Sequence, residues 1–211
     1  MRLESHGVVA LENIQHYHAF IFDMDGTLLD TMPTHLQAWY ETARVYGFPF
    51  DIDWVHSLGG MPSRKILEQI NLRYDLSIDC DEASEYKMDC FRKMSDNIQP
   101  IQITLDILNQ FYRTKRIAIG TGSQSHSAER LIRASGLEDK IEVIVGADHV
   151  ENHKPNPDTF LLAAEKLGVE AKNCLVFEDT EIGLKAAHSA GMDCMLLSEQ
   201  QLQLFPYEIK K

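Results

Sequence analysis

Ala19-Phe20-Ile21-Phe22-Asp23-Met24-Asp25-Gly26-Thr27 opens with four apolar residues and then breaks into two carboxylates and a hydroxyl. A short apolar run bounded by polar residues reads as a strand buried on both faces rather than a half-exposed one. Four more runs of this kind follow, at residues 117–119, 141–145, 175–177 and 194–197. Between the later ones lie stretches of helical length, residues 125–135, 157–167 and 180–190, stopped by Gly136, Gly168 and Gly191. Strand and helix in alternation predict an α/β fold built on a doubly wound parallel sheet.

Residues 33–97 contain no comparable run. Their apolar residues recur at helical spacing, as in Leu36, Trp39, Tyr40 and Ala43, which predicts an inserted helical lobe. The chain is expected to divide into an α/β core, residues 16–31 and 98–211, and a helical-bundle cap, residues 32–97. A length of 211 residues suits one good core with a smaller second lobe.

With 20 basic and 32 acidic residues the chain carries a formal charge of −12, and no basic run interrupts that sign. Nucleic acid and anionic membrane are thereby excluded as expected partners. A phosphorylated small molecule is also an anion, so binding one requires a local cation that overrides the overall field. The four cysteines show no CxxC spacing, and Cys174 and Cys194 sit in apolar runs, which fits a reducing cytoplasm. The longest apolar stretch near the start, residues 8–11, is too short for a signal-peptide core, and no later run is long enough to span a membrane. A monomer is expected, because no long apolar surface stripe demands a partner.

In an open parallel sheet, ligands bind beyond the carboxyl ends of the strands. The residues that follow the apolar runs are Asp23, Asp25 and Thr27, then Thr121 and Ser123, then Lys154 in a loop, then Glu178 and Asp179. Any one of them, Ser123 or Thr180 for instance, could simply solvate a loop or cap a helix. Four carboxylates at one sheet edge repel one another and imply a cation, and an all-oxygen donor set points to magnesium rather than zinc. Lys154 supplies the local positive charge. Uncatalysed phosphate-monoester hydrolysis is so slow that enzymes accelerate it up to about 10²¹-fold. General acid–base help contributes only about 10² to 10⁴ of that. Passage through an aspartyl phosphate, with metal and lysine neutralising the phosphoryl oxygens, shares the burden among several groups.

Asp23-Met24-Asp25-Gly26-Thr27, Thr121, Lys154-Pro155-Asn156-Pro157-Asp158 and Glu178-Asp179, in that order, resemble the motifs of the haloacid dehalogenase-like phosphatase superfamily. The resemblance implies a Rossmann-like core in which Asp23 attacks phosphorus. Asp25 would protonate the leaving alcohol and later activate water. It implies Mg2+ bound by Asp23, Asp179 and the backbone carbonyl of Asp25, with Glu178 joining directly or through water. Thr121 and Lys154 would hold the phosphoryl group, helped by backbone N–H groups near Met24, Asp25 and Gly122. A carboxylate at position 25 sets the chain apart from members that cleave carbon–halogen bonds.

Asp30-Thr31, His35, Ala38-Trp39, Leu58-Gly59-Gly60 and Arg64 are similar to the subgroup of β-phosphoglucomutase and small sugar-phosphate phosphatases, whose helical cap follows the first motif. Gly120-Thr121-Gly122-Ser123 and Ala147-Asp148-His149-Val150, leading to His153-Lys154-Pro155, look like the fructose-1-phosphate and 6-phosphogluconate phosphatase type. Thr27 is more typical of the phosphatases than of the mutase. Hydrolysis of a sugar phosphate is the implied activity, with a phosphomutase or a silent sugar-phosphate binder as alternatives. A binder has no need of Asp25 or Asp179.

His35, Arg64 and Lys87 are the cap residues expected to face the substrate, together with Gly122 and Ser123, because a closing cap needs polar groups that grip the ligand and exclude water. Their plain readings are a satisfied histidine at a helix start and solvated surface cations. His149 and His153, spaced i, i+4, read as non-metal residues, since Pro155 forbids much helix there. Trp39 and Trp54 read as packing aromatics, and Gly59-Gly60 as either a hinge or a plain turn.

Overall fold

The computed structural model describes residues 11–208. Most of the N-terminal apolar stretch, residues 8–10, and the end of the core segment, residues 209–211, lie outside the described residues. The chain forms one strand, β1 (Ala19–Phe22), and then four helices: α1 (Met32–Tyr46), α2 (Ile52–Ser57), α3 (Ser63–Tyr74) and α4 (Cys80–Met94). Strand and helix then alternate through α5 (Gln102–Phe111), β2 (Arg116–Gly120), α6 (Ser125–Ala134), β3 (Val143–Val145), α7 (Asp158–Leu167), β4 (Cys174–Glu178) and α8 (Glu181–Ser189). A hairpin of β5 (Asp193–Ser198) and β6 (Gln201–Phe205) closes the sheet.

The sheet order is β3-β2-β1-β4-β5-β6, parallel throughout except for β6, which pairs antiparallel to β5. The five apolar runs are β1 to β5. β6 is an addition, because Gln201-Leu202-Gln203-Leu204 alternates polar and apolar as an edge strand covered on one face does. α5 is a second addition, whose Thr104, Ile107, Leu108 and Phe111 are buried at helical spacing.

β1 is buried on both faces, and its side chains divide by parity. Phe20 and Phe22 pack with Leu108 and Phe111 of α5 and Leu131 of α6. Ala19 and Ile21 face Phe160 and Ala163 of α7 and Ala187 of α8. Phe22 stacks on Phe177 of β4 at 4.4 Å between ring centroids, which ties the two central strands together just below the polar edge.

α1 to α4 build a separate apolar cluster from Trp39, Phe48, Val55, Ile66, Leu67 and Ile70. Local chemistry sets their limits. Asp51 and Asp79 accept the first free N–H groups of α2 and α4, and Gly47, at φ 74°, ends α1 in the left-handed region.

Phe22 is in register with Ile119 of β2 on one side and Phe177 of β4 on the other, so Asp23, Thr121 and Glu178 leave the sheet at nearly the same level. The winding reverses at β1, and the crevice at such a switch point is where an open α/β sheet binds ligands. Among the described residues no helix is long and apolar enough to cross a membrane. All four cysteines are unpaired.

Candidate active site

Lys154 sits at the centre of the sheet edge. Its Nζ donates to Asp23 Oδ1 at 2.6 Å and to Glu178 Oε1 at 2.8 Å. These three side chains are no more than 3% exposed. Buried charges survive only when paired and fully hydrogen-bonded, and Glu178 meets that demand. Its Oε2 accepts from Asp179 N, Thr180 N and Thr180 Oγ1, each at 2.9 Å. Thr180 Oγ1 also receives Gly183 N at 3.0 Å, capping α8, so the capping reading of this residue is correct. Gly183 has no alternative here, since a Cβ would fall on the Glu178 carboxylate.

Asp23, Glu178 and Asp179 each offer an oxygen within 4.8 Å of the others. Three carboxylates against one ammonium leave two negative charges in a buried space. Burial pushes Asp23 well above the ordinary carboxylate range; Lys154 opposes this, while Glu178, Asp179 and Asp25 add to it. Asp179 is pushed up to about 7 by burial and by Glu178, against the Thr27 hydroxyl that donates to it at 3.0 Å. Lys154 is held above its ordinary value: burial would lower it, but Asp23 and Glu178 override that and keep it protonated. An all-oxygen set with two surplus negative charges fits a hard divalent cation.

Asp25 turns the other way. Its Oδ1 accepts from Thr31 Oγ1 at 2.8 Å and lies 3.1 Å from His35 Nε2, and its Oδ2 accepts from Thr121 Oγ1 at 3.1 Å and Ser123 Oγ at 2.8 Å. Burial would raise this carboxyl, yet His35, Ser123 and Thr31 hold it well below the ordinary range. Thr121 and Ser123, expected to face a phosphoryl group, are thus both engaged by Asp25.

His35 is pushed down by burial and by Lys87, against Asp25, which acts to raise it. Lys87 Nζ lies 2.7 Å from His35 Nδ1, which fixes Nδ1 as acceptor and Nε2–H as donor to Asp25. Lys87 itself, buried over the faces of Trp39 and Phe91 at 5.2 and 5.5 Å, is pulled down by burial to about 7. His35 and Lys87 therefore converge on the site through Asp25.

A cavity of about 100 Å³ lies between this edge and α1, α3 and α4, walled by Asp23, Asp25, His35, Trp39, Lys87 and Gly122 among others. Arg64 lines its rim, but its guanidinium is held by Asp81 at 2.6 Å and Glu68 at 2.9 Å. Gly59 and Gly60 rest against Thr180 and Lys154, and a Cβ on Gly122 would strike the Gly60 carbonyl. The two glycine loops therefore meet backbone to backbone. His149 takes Gly146 N on its Nδ1 at 3.2 Å, and Trp39 is buried in the wall of the cavity.

Thr31 enters the sequence reading only as part of the cap-entry resemblance, with no role of its own, and Gly183 does not enter it. Thr31, directly before the Met-Pro start of α1, has a hydroxyl-before-helix signal that suggests a cap, whereas its hydroxyl serves Asp25. Gly183 is one glycine inside a helix, and nothing local marks it.

Residues 20–197 match the profile of the haloacid dehalogenase-like hydrolase family. The fructose-1-phosphate phosphatase YqaB of Escherichia coli (strain K12) is 40% identical, over 86% of this chain and 96% of that one. A phosphorylated carbohydrates phosphatase of Thermotoga maritima is 33% identical, over 83% and 82% of the respective chains. The crystal structure of β-phosphoglucomutase from Clostridium difficile superimposes with a TM-score of 0.74 at 28% identity, over 87% of this chain and 85% of that one.

The surplus charge at Asp179 sets a stability test. Its carboxyl rises from an ordinary 3.8 to about 7, so in metal-free protein its contribution is full below pH 3.8 and is lost as pH rises through 7. Asp179→Asn is expected to melt higher than the parent at pH 7.5 in chelator, with a smaller gain at pH 5. Thermal melts check this, and equal melting of the two proteins at pH 7.5 would contradict it. Gly122→Ala is expected to lower kcat/KM by about tenfold or more, since backbone must shift at a positioned edge, with little change in melting temperature.

Proposed function

The chain belongs to the haloacid dehalogenase-like hydrolase family, and on that basis we propose that it is a magnesium-dependent phosphatase acting on a small sugar phosphate through an aspartyl phosphate at Asp23. The observation that carries this reading is the single buried ammonium of Lys154 shared by Asp23 and Glu178, with Asp25 anchored separately beside them. Fructose 1-phosphate and 6-phosphogluconate are the first substrates to try, given the similarity to the two carbohydrate-phosphate phosphatases.

Asp23 attacks phosphorus. Its ionised form is favoured by Lys154, and the same ammonium is placed to neutralise a phosphoryl oxygen as charge develops. Asp23, Asp179 and the Asp25 carbonyl would hold magnesium, with Glu178 joining directly or through water, and the ion would supply further positive charge to the phosphoryl group. Glu178 already has both oxygens engaged, one by Lys154 and one by the Thr180 turn, so its main task is to hold those two in place.

Asp25 moves the proton. Its depressed affinity leaves it ionised in the free enzyme, ready as the base that activates water for the second half of the reaction. For the first half it must hold a proton. A phosphoryl dianion beside it raises that affinity, as does any withdrawal of the His35 donor. Asp23 and Asp25 thus take different roles because their surroundings differ.

Residues 32–97 act in this reading as a cap over a core of residues 16–31 and 98–211, excluding bulk water when the Gly60 and Gly122 loops meet. The protein is read as a cytoplasmic monomer, in keeping with its four unpaired cysteines. A phosphomutase would share all of this machinery, and the similarity to β-phosphoglucomutase structures keeps it as the second reading.

Inorganic phosphate release from a panel of sugar phosphates, run beside isomerisation of β-glucose 1-phosphate supplied with its bisphosphate, separates the two. Phosphate release that chelator abolishes is expected; isomerisation without release would establish the mutase instead. Lys154→Ala is expected to lower kcat by at least about 10²-fold. It should also lose about 3 kcal/mol of stability by stranding buried carboxylates. Near-normal turnover in this variant would contradict the assignment.

A further inference from the structure

At the sheet edge the cavity wall formed by Asp23 is backed by the Lys154 ammonium, but the far end has no cation to spare. Two basic side chains border the cavity away from the sheet edge, Lys87 and Arg64. The Lys87 ammonium is turned inward, bonded to His35 Nδ1 at 2.7 Å and buried to 2% exposure. Arg64, at the rim, donates through Nε to Asp81 Oδ1 at 2.6 Å and through an Nη to Glu68 Oε1 at 2.9 Å. The other Glu68 oxygen takes Lys65 at 2.9 Å. Two cations and two carboxylates close on one another, and their charges cancel. The α3 and α4 residues that line the cavity beside them include the neutral Ser63, Ser84 and Met88.

We propose that this closed network of Arg64, Lys65, Glu68 and Asp81 selects substrates with a single phosphoryl group, rejecting sugar bisphosphates whose second phosphate would lie at the rim. The inference rests on the phosphatase reading and narrows its substrate class to monophosphates with an uncharged far end, which favours fructose 1-phosphate over 6-phosphogluconate with its carboxylate. A second phosphate arriving at Arg64 meets Asp81 and Glu68 as well, and must displace one or face both. Like-charge contact of that kind discriminates among ligands more than it alters the preferred one. Sugar hydroxyls arriving at Ser63 and Ser84 incur no such penalty. The network is exposed, with 52% of the Arg64 side chain and 76% of the Asp81 side chain accessible, so the rejection must weaken with salt.

The test compares fructose 1-phosphate with fructose 1,6-bisphosphate, and glucose 6-phosphate with glucose 1,6-bisphosphate, by initial rates of phosphate release. The parent is expected to favour the monophosphate of a pair by about tenfold or more in kcat/KM, with the margin shrinking as salt is raised. The double variant Glu68→Gln with Asp81→Asn frees Arg64 and should raise bisphosphate kcat/KM by about fivefold or more. Neither residue is in the catalytic set, so monophosphate kcat/KM should stay within about twofold. Equal use of both members of a pair by the parent, or a ratio unmoved in the variant, would overturn the selection while leaving the phosphatase intact. No release from any of the four sugars or from p-nitrophenyl phosphate would overturn the phosphatase reading and this inference with it.

Discussion

One ammonium group, deep at the carboxyl end of a parallel sheet, governs what surrounds it. Lys154 bridges the carboxylates that follow β1 and β4, and without it those carboxylates would repel each other in a space with almost no solvent. The sheet register brings the two acids together, and the loop before α7 brings the lysine to them. Glu178 extends the arrangement to the first turn of α8, where Gly183 leaves the room its carboxylate occupies. A single charge thus couples two strand ends, the loop before α7 and a helix start.

The same constraint explains why two aspartates two residues apart can do different work. Asp23 shares a crowded anionic space with Glu178 and Asp179, relieved by Lys154. Asp25 faces four donors from the turn before α1, α1 itself and the loop after β2, which keep it ionised and fixed in orientation. The helical lobe takes part through His35, whose far nitrogen accepts from Lys87 of α4. The helices α1 and α4 and the Asp25 carboxylate are therefore linked through one imidazole.

Much of the fold was legible because buried parallel strands have to be continuous apolar runs, and β1 to β5 are. β6 escaped that reading because an edge strand buries one face and alternates. Asp23, Lys154, Glu178 and Asp179 were legible as a group because each follows a strand and their charges make sense only in company. Partner choice within the group was not. Thr121 and Ser123 stand beside the phosphoryl position in sequence terms, yet both hydroxyls go to Asp25. Arg64 was expected to face the substrate as a cap residue, but its neutralisation depends on Asp81, seventeen residues away on another helix. Local spacing carries strands and motifs; hydrogen-bond partners are decided by packing between elements.

The claim on which the account stands is that an oxygen of Asp23 becomes bonded to phosphorus during turnover. Acid-quenching the enzyme with fructose 1-phosphate and magnesium, followed by mass spectrometry of the peptide bearing Asp23, tests this directly. The account predicts one added phosphoryl mass on Asp23 that decays as phosphate appears, absent in Asp23→Asn. A phosphoryl adduct on a different residue, or sustained turnover by Asp23→Asn, would contradict it.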